Sequence, residues 1–187
     1  MTLYIFDMGG VVATDTDVFP AVCSHLELPV KQFYRLAGSR LGRLLDGAIS
    51  ADEFWECFSA KYGTPVEVDL FARYFNPGLD QGVVALLSRL KSRHRVVCGT
   101  NVFDSHYDYL VPHGYYDLFD AVYASNKMGM SKPHLEFYRH ILNTEGVRPE
   151  DAVFIDDDET NVRAAEKLGI RSILFRGAER LKSEIEQ

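Results

Sequence analysis

Four acidic residues directly follow a short apolar run in the second half of the chain. Val153–Ile155 is followed by Asp156, Asp157, Asp158 and Glu159. Adjacent carboxylates repel one another unless a cation lies among them, and carboxylate oxygens suit Mg²⁺. The first turn of a helix would explain the last two acids, because helix N-termini attract negative charge, but it does not explain acids that begin at a strand end. The run therefore predicts a magnesium site.

A further carboxylate ends the first apolar run of the chain. Leu3–Phe6 leads into Asp7, and Gly9 and Gly10 follow two and three residues later. Open α/β sheets bind ligands at the carboxyl ends of their strands, and glycine lets the backbone approach a ligand closely. Asp7 is therefore a candidate catalytic residue, and the two glycines are candidate ligand-binding residues. A plain strand-to-loop turn with a helix-capping aspartate is the alternative.

Two more motifs carry groups that suit an anionic ligand. Thr100 and Asn101 follow the apolar run Val96–Cys98, and their hydroxyl and amide groups can both donate to phosphate oxygens. Lys132 precedes Pro133, whose ring favours an extended backbone at the lysine, so that the ammonium can act as a point charge for phosphate. Each motif alone is more often an ordinary turn or a solvated loop. Together with the two acidic motifs they predict one phosphate site.

The elements that must position these residues are short strands alternating with amphipathic helices. Five apolar runs rich in β-branched or aromatic residues predict strands of a buried parallel sheet. They are Leu3–Phe6, Val96–Cys98, Ala121–Tyr123, Ala152–Ile155 and Ser172–Phe175. Stretches such as Asp80–Arg93 have helical periodicity between them. This alternation predicts an α/β fold, a doubly wound, Rossmann-like parallel sheet.

Residues 15–77 differ, because they contain helical patterns and no convincing strand. Ser50–Glu53 has the pattern of a capping box that opens a helix, and Val66–Tyr74 predicts another helix. The aromatic residues of the first helix are expected to form a local core; they are Phe54, Trp55 and Phe58. We predict a small all-helical domain at 15–77, inserted after the first strand of a core formed by 1–14 and 78–187.

Three basic side chains have two interpretations each. Arg40 and Arg43 in the helical segment either contact a substrate or belong to a solvated helix face. His106, shortly after Asn101, is able to reach the same cleft, but a position at the surface is the simpler expectation.

The composition restricts the partners. A net charge of -7 disfavours nucleic acid and anionic membranes, which need clustered Lys or Arg, but it permits a small anionic substrate. No apolar run approaches the ~18 residues of a membrane span, and we expect no signal peptide. The three cysteines are far apart and lack metal-site spacing, which fits a reducing cytoplasm. We expect a cytoplasmic monomer or homodimer.

The four motifs together resemble those of the haloacid dehalogenase-like hydrolases. Nearly the whole chain is covered by the order Phe-Asp-x-x-Gly-Val, Thr-Asn, Lys-Pro-x-x-x-Phe-Tyr and Phe-Ile-Asp-Asp-x-x-x-Asn-Val-x-Ala-Ala. The resemblance implies that the strands of the first and last motifs are neighbours, and that the helical insertion is a cap over a phosphate site. It implies a magnesium-dependent phosphatase that acts on a small phosphorylated metabolite.

The resemblance also implies roles for individual residues. Asp7 would be the nucleophile that forms an aspartyl-phosphate, and Lys132 would neutralise the phosphate. Thr100 would hold a phosphate oxygen, and Asn101 would steady the site. Asp7, Asp157 and the backbone oxygen of Gly9 would bind Mg²⁺, with Asp156 acting through water. Asn161 is a weaker outer candidate.

Residue 9 departs from the family pattern. Most phosphatases of the family carry a general-acid aspartate there, two residues after the nucleophile, and losing a general acid typically costs ~10²–10⁴-fold in rate. The Asp-x-Gly pattern resembles a subgroup that includes sugar-1-phosphate phosphatases, whose leaving groups need less proton help. The alternatives are that another group replaces the acid, or that the protein is a weakly active or inactive phosphate-binding module. Dehalogenase and phosphomutase reactions are less favoured, the first by the Asp156–Asp157 pair and the second by Gly9.

Overall fold

A computed structural model describes residues 1–186 of the chain. Its seven strands form one large sheet and one short antiparallel pair. The strands are β1 (Leu3–Phe6), β2 (Ala13–Thr14), β3 (Gly78–Leu79), β4 (Arg95–Thr100), β5 (Ala121–Ala124), β6 (Ala152–Asp156) and β7 (Arg171–Leu174). Five of them pair in parallel in the order β5-β4-β1-β6-β7. The predicted parallel sheet is confirmed.

Helices connect the strands. They are α1 (Phe19–His25), α2 (Val30–Ala37), α3 (Arg40–Leu45), α4 (Ala51–Tyr62), α5 (Leu70–Tyr74), α6 (Gln81–Lys91), α7 (Asp104–Leu110), α8 (Ser125–Met128), α9 (Leu135–Glu145), α10 (Glu159–Glu166) and α11 (Ala178–Ile185). Short 3₁₀ turns occur at Tyr115–Leu118 and Pro149–Asp151. None of the helices within residues 1–186 has the length and apolarity needed to cross a lipid bilayer.

Both faces of the sheet are covered, because successive side chains of a strand point to opposite sides. Tyr4 and Phe6 of β1 pack in the same hydrophobic cluster as α6 and Leu181 of α11. Leu3 and Ile5 pack in the opposite cluster, with buried residues of α9 and α10. Burial on both faces explains why the strands appear as uninterrupted apolar runs.

The strand order places three of the predicted motifs side by side. β1 lies at the centre of the sheet, and Phe6 is paired with Cys98 of β4 on one side and with Ile155 of β6 on the other. Because the strands are parallel, the residues after these positions meet at one edge.

The helical insertion, residues 15–77, contains α1 to α5 and lies between the antiparallel pair β2 and β3. Its aromatic side chains pack together, with ring centroids of Trp55 and Phe71 at 4.8 Å and of Phe33 and Phe58 at 5.1 Å. The contact of Phe71 with Phe103, at 4.7 Å, joins this cluster to the rest of the core. The aromatic core is therefore continuous with that of the sheet.

Two local predictions were wrong and one is confirmed. The helix predicted at Val66–Tyr74 begins only at Leu70, because the Asp69 side chain accepts from the amide of Phe71 and caps the helix there. His106 is buried, not at the surface, since its ring stacks on Phe75. The capping box of Ser50 and Glu53 is present.

Candidate phosphate and metal site

Three carboxylates from two neighbouring strand ends converge on one point. Oxygen atoms of Asp7, Asp156 and Asp157 lie within 4.8 Å of one another. The ammonium of Lys132 joins them, with its Nζ 2.9 Å from Asp7 Oδ1 and 2.7 Å from Asp156 Oδ2. Residues from three separate motifs thus share one pocket at the carboxyl edge of the sheet.

The turn after β1 is shaped to bring Asp7 close to the acidic run. Gly10 has a φ of 72°, in the left-handed region, and a Cβ atom at this position would collide with the carboxylate of Asp157. The amide of Ala13 donates to the carbonyl of Met8 at 2.7 Å and closes the turn. Glycine is therefore required at position 10, both for its conformation and for the approach of Asp157.

The loop that carries Lys132 is fixed by Asn101. The Asn101 amide donates to the backbone carbonyl of Lys132, and its side-chain oxygen accepts from the backbone amide of Lys132, both at 2.9 Å. Thr100, at the end of β4, is buried next to it. The amide group of Asn101 is thus occupied by the Lys132 loop, while the lysine side chain is almost fully buried.

The two acids at the end of β6 have different environments. Asp156 is fully buried, and besides the bond to Lys132 its oxygens accept from the backbone amide of Asp158 at 2.8 Å and from the Asn161 side chain at 3.1 and 3.2 Å. Asp157 is exposed. The hydrogen-bonding capacity of Asp156 is therefore largely used within the protein, whereas the Asp157 carboxylate is accessible.

The electrostatics of the cluster favour a bound cation. Burial raises the pKa of Asp7 above its usual range. The charge of Lys132 lowers this pKa and the charge of Asp156 raises it, but burial has the largest effect. Burial and the charge of Asp156 also raise the pKa of Asp157. Burial alone would lower the pKa of Lys132, but the attraction of Asp7 and Asp156 outweighs it, so the pKa is raised and the lysine stays charged. Three carboxylates face one ammonium, and a divalent cation would neutralise the excess negative charge. The donor set, with hard oxygens only, fits Mg²⁺.

An apolar cavity of about 180 Å³ opens beside the nucleophile candidate. Gly9, Thr100 and Asn101 line it from the strand ends, and residues of the helical insertion line it together with α7. Arg40 and Arg43 are not among the described residues that line it; Arg43 is exposed and Arg40 is half-buried.

Thr16 of this region carries no signal in the sequence, and for His106 the sequence permits the cleft but favours the surface. Thr16 lines the cavity, and its Oγ1 would lie 3.1 Å from a Cβ atom at position 9. Its own neighbour Asp15 has a φ of 57°, which turns the chain back toward Gly9. His106 also lines the cavity. Neither residue carries a motif, and both are brought there by tertiary packing alone.

The fold and the cluster at the strand edge define a doubly wound α/β protein with a candidate site for phosphate and a metal ion. The sequence pattern of the haloacid dehalogenase-like hydrolases matches residues 1–169. The chain belongs to this family.

Relatives extend the comparison along most of the chain. The sesquiterpene phosphatase of Aspergillus oryzae is 32% identical over 172 residues, which cover 89% of this chain and 85% of that protein. The D-ribitol-5-phosphate phosphatase of Bacteroides thetaiotaomicron is 25% identical and covers 90% of this chain and 88% of its own length. Some matches are partial: the chain spans 13% of the drimenol cyclase of Aspergillus calidoustus.

Solved structures agree in fold. A Bacteroides thetaiotaomicron enzyme of the same family, crystallised with magnesium and inorganic phosphate, superposes with a TM-score of 0.76 at 22% identity. The match covers 94% of each chain.

Proposed function

We propose that this hydrolase is a magnesium-dependent phosphatase that releases phosphate from a small phosphorylated metabolite through an aspartyl-phosphate on Asp7. The observation that carries the proposal is the contact of Lys132 Nζ with Asp7 Oδ1 at 2.9 Å, beside Asp156 and Asp157. Phosphoryl transfer depends mainly on positioning and on stabilising negative charge. A buried carboxylate held next to a lysine and to oxygen donors suits that task.

Asp7, Asp157 and the backbone oxygen of Gly9 are the groups that we assign to Mg²⁺. Asp156 acts through water and not as a direct metal ligand, because its oxygens already accept hydrogen bonds from Lys132, Asn161 and the amide of Asp158. When bound, the cation neutralises charge on the phosphoryl oxygens. Asn161 orients Asp156, because its side-chain amide donates to both carboxylate oxygens.

Asp7 is the nucleophile in the first step of the reaction and the leaving group in the second. Asp7 Oδ1 accepts from Lys132 and, at 2.7 Å, from the amide of Met8, so the carboxylate has a fixed orientation. One carboxylate oxygen forms a bond to phosphorus while the bond from phosphorus to the alcohol oxygen breaks, and that oxygen leaves with the electron pair. Water then attacks the aspartyl-phosphate, releasing inorganic phosphate and restoring Asp7.

The departing oxygen takes its proton from water in this proposal, because residue 9 is glycine and supplies no acid. The hydroxyl of Thr16 is the polar group nearest to the position that a side chain at residue 9 would occupy. It is placed to hold that water by a hydrogen bond. A threonine hydroxyl is a poor acid, so we assign it a positioning role.

The helical insertion acts as the cap of the enzyme in this proposal, and the core consists of 1–14 and 78–187. Its support is the position of Thr16, Phe19, Leu45 and Phe75, which line the apolar cavity together with Thr100 of the core. A site between two segments is a common place for ligands. A cytoplasmic location and a monomeric or homodimeric state remain predictions, as do substrate contacts of Arg40 and Arg43.

The names of the relatives support phosphate removal but differ in the substrate. One is named for a sesquiterpene, which is apolar, and another for ribitol 5-phosphate, which is a polyol. The substrate class of this chain therefore depends on the lining of its own cavity.

The decisive experiment measures phosphate release from a panel of phosphate monoesters, with magnesium and with chelator. Asp7→Asn is expected to lower the rate by 10⁴-fold or more, on the order of what removal of other enzyme nucleophiles costs. Acid quenching of the wild type should trap a phosphoryl group on the peptide that contains Asp7, found by mass spectrometry. Asp151→Asn, which removes an exposed carboxylate at the opposite end of β6, should keep full activity.

A second pair of variants tests the metal assignment. Asp157→Asn is expected to raise the magnesium concentration needed for half-maximal activity by about 10–100-fold. Asp158→Asn should leave this concentration unchanged, because Asp158 caps α10 by accepting from the amide of Thr160. Full turnover by Asp7→Asn, or equal rates with chelator and magnesium, would contradict the proposed function.

A further inference from the structure

The lining of the apolar cavity includes many side chains that phosphate binding does not require. Phosphate requires donors and positive charge, which Lys132 and the strand ends supply. Beyond Gly9, Thr100 and Asn101 the lining consists mainly of apolar side chains, including Val102, Phe103 and Leu110. The described residues that line the cavity include no Asp, Glu, Lys or Arg.

One ionisable ring, that of His106, occurs among the described residues of the lining, and it is held neutral. His106 stacks on Phe75 with ring centroids 3.7 Å apart and planes 8° from parallel. Its Nε2 donates to the backbone carbonyl of Phe71 at 3.1 Å. Burial outweighs this hydrogen bond and lowers the pKa of His106 to about 4. The histidine therefore presents an uncharged aromatic surface at neutral pH.

Gly9 keeps the space beside the nucleophile uncharged. A Cβ atom at position 9 would point to Thr16 Oγ1, which lines the same cavity. An aspartate at this position would thus bring its charge to the cavity. Glycine at this position therefore leaves the enzyme without an acid and this side of the cavity without a charge.

Few polar groups remain for a hydroxylated ligand. The Asn101 side chain is already bonded to the backbone of Lys132 on both its oxygen and its nitrogen, and the His106 Nε2 is occupied. The hydroxyls of Thr16 and Thr100 and the Nδ1 of His106 are the side-chain groups that remain, so a polyol with more hydroxyl groups than these would bury some of them without partners, which is costly.

We propose that this cavity binds the carbon skeleton of the substrate and selects apolar alkyl or aryl phosphate monoesters over sugar phosphates. An apolar cavity of about 150 Å³ holds benzene, so a cavity of this size fits about six to eight carbon atoms. The inference rests on the proposed function, which supplies the phosphate end of the ligand. It replaces the sugar phosphate expected from the Asp-x-Gly pattern.

The test is a calorimetric titration of the magnesium-loaded protein with alkylphosphonates, which bind without being hydrolysed. Ethyl-, butyl-, hexyl- and octylphosphonate form the series, and a hexylphosphonate with hydroxyl groups on its chain is the polar control. The Kd should fall about threefold to fourfold for each added methylene group up to about hexyl. It should then level off, because the cavity is filled. The hydroxylated chain should bind no better than ethylphosphonate.

Matched variants locate the effect. Leu45 lines the cavity and Leu36 does not, although both are half-buried leucines of the helical insertion. Leu45→Asn should weaken hexylphosphonate binding about tenfold and change the binding of inorganic phosphate much less, whereas Leu36→Asn should alter neither. Equal affinity along the series, or tighter binding of the hydroxylated chain, would overturn the inference.

Its failure is distinguishable from failure of the proposed function. Magnesium-dependent, Asp7-dependent turnover without chain-length dependence would remove the apolar selection and leave the phosphatase. Chain-length-dependent binding without turnover of any ester would support the cavity assignment and remove the enzyme. Absence of binding by every phosphonate would contradict both.

Discussion

The edge of the sheet is held together by buried charged groups, whereas the helical insertion is held together by aromatic packing. At the sheet edge, Lys132 and Asp156 are buried with their charges and are held by hydrogen bonds. In the insertion, Phe33, Trp55 and Phe71 pack through their rings, without buried charges among them. Charged clusters are costly to bury and need fixed partners, whereas apolar packing tolerates changes of similar volume. This difference is what the proposed function requires, with the reaction at the sheet edge and the substrate skeleton bound against the insertion.

The largest effect is expected from breaking the charge cluster. Lys132→Met leaves Asp7 and Asp156 buried without their cation, so we expect a loss of about 3 to 5 kcal/mol in unfolding free energy. Phosphate release should fall about 10²–10³-fold. Urea unfolding and a rate assay measure the two effects.

The matched control is the exposed pair Lys127–Asp104, with an Nζ–Oδ1 distance of 2.9 Å. Lys127→Met should cost at most about 1 kcal/mol and leave the rate unchanged, because exposed ion pairs are weak. Similar losses in the two variants would show that burial is not what makes the Lys132 cluster important.

A cavity in the aromatic cluster should affect stability and leave the chemistry intact. Phe58 is almost fully buried, and Phe58→Ala should cost about 3 to 5 kcal/mol. Val68, in the same insertion, is 47% exposed, and Val68→Ala should change stability by about 0.5 kcal/mol or less. At a temperature where both variants are folded, kcat for a small substrate should equal that of the wild type. Because Phe71 contacts Phe103, unfolding should occur in one transition, and two separate transitions would show that the insertion folds independently.

A smaller effect concerns His106, which joins the two regions. Its pKa is lowered by burial from 6.5 to about 4 in the folded protein, so folding disfavours protonation. The stability that this provides is complete above about pH 6.5 and is lost as the pH falls toward 4, up to about 3 kcal/mol. His106→Gln should remove that part of the pH dependence, as measured by urea unfolding at pH 7 and pH 4. The exposed His113 serves as control: His113→Gln should follow the wild-type curve, and the same curve for His106→Gln would contradict the prediction.

The convergence of the sheet-edge residues could be predicted from the sequence for a physical reason. Asp7, Thr100 and Asp156 each follow or end an apolar strand, and parallel strands deliver such positions to one edge regardless of distance along the chain. Lys132 was predicted from a loop motif, and Asn101 explains its position through two backbone hydrogen bonds.

The cavity lining could not be predicted in this way. Thr16 lies in a loop whose direction depends on the left-handed backbone at Asp15. His106 is buried by its contact with Phe75, which lies more than 30 positions earlier in the chain. The local sequence around His106 does not reveal this contact and therefore predicts a surface position. Val66–Asp69 has helical periodicity, but the side chain of Asp69 starts the helix at Leu70. Such features depend on long-range packing or on competing local hydrogen bonds, which periodicity does not reveal.

The short pair of β2 and β3 has a consequence for changes in the helical insertion. Ala13 is paired with Leu79 and Thr14 with Gly78, so more than sixty intervening residues depart from and return to a single place. The entropy of closing a loop rises by only about 0.6 kcal/mol for each doubling of its length. The length of that stretch can therefore change at little cost to the register of the five parallel strands, provided that contacts with the core such as that of Phe71 with Phe103 are kept. Changes within this segment can therefore alter the lining of the apolar cavity while the residues at the sheet edge keep their positions.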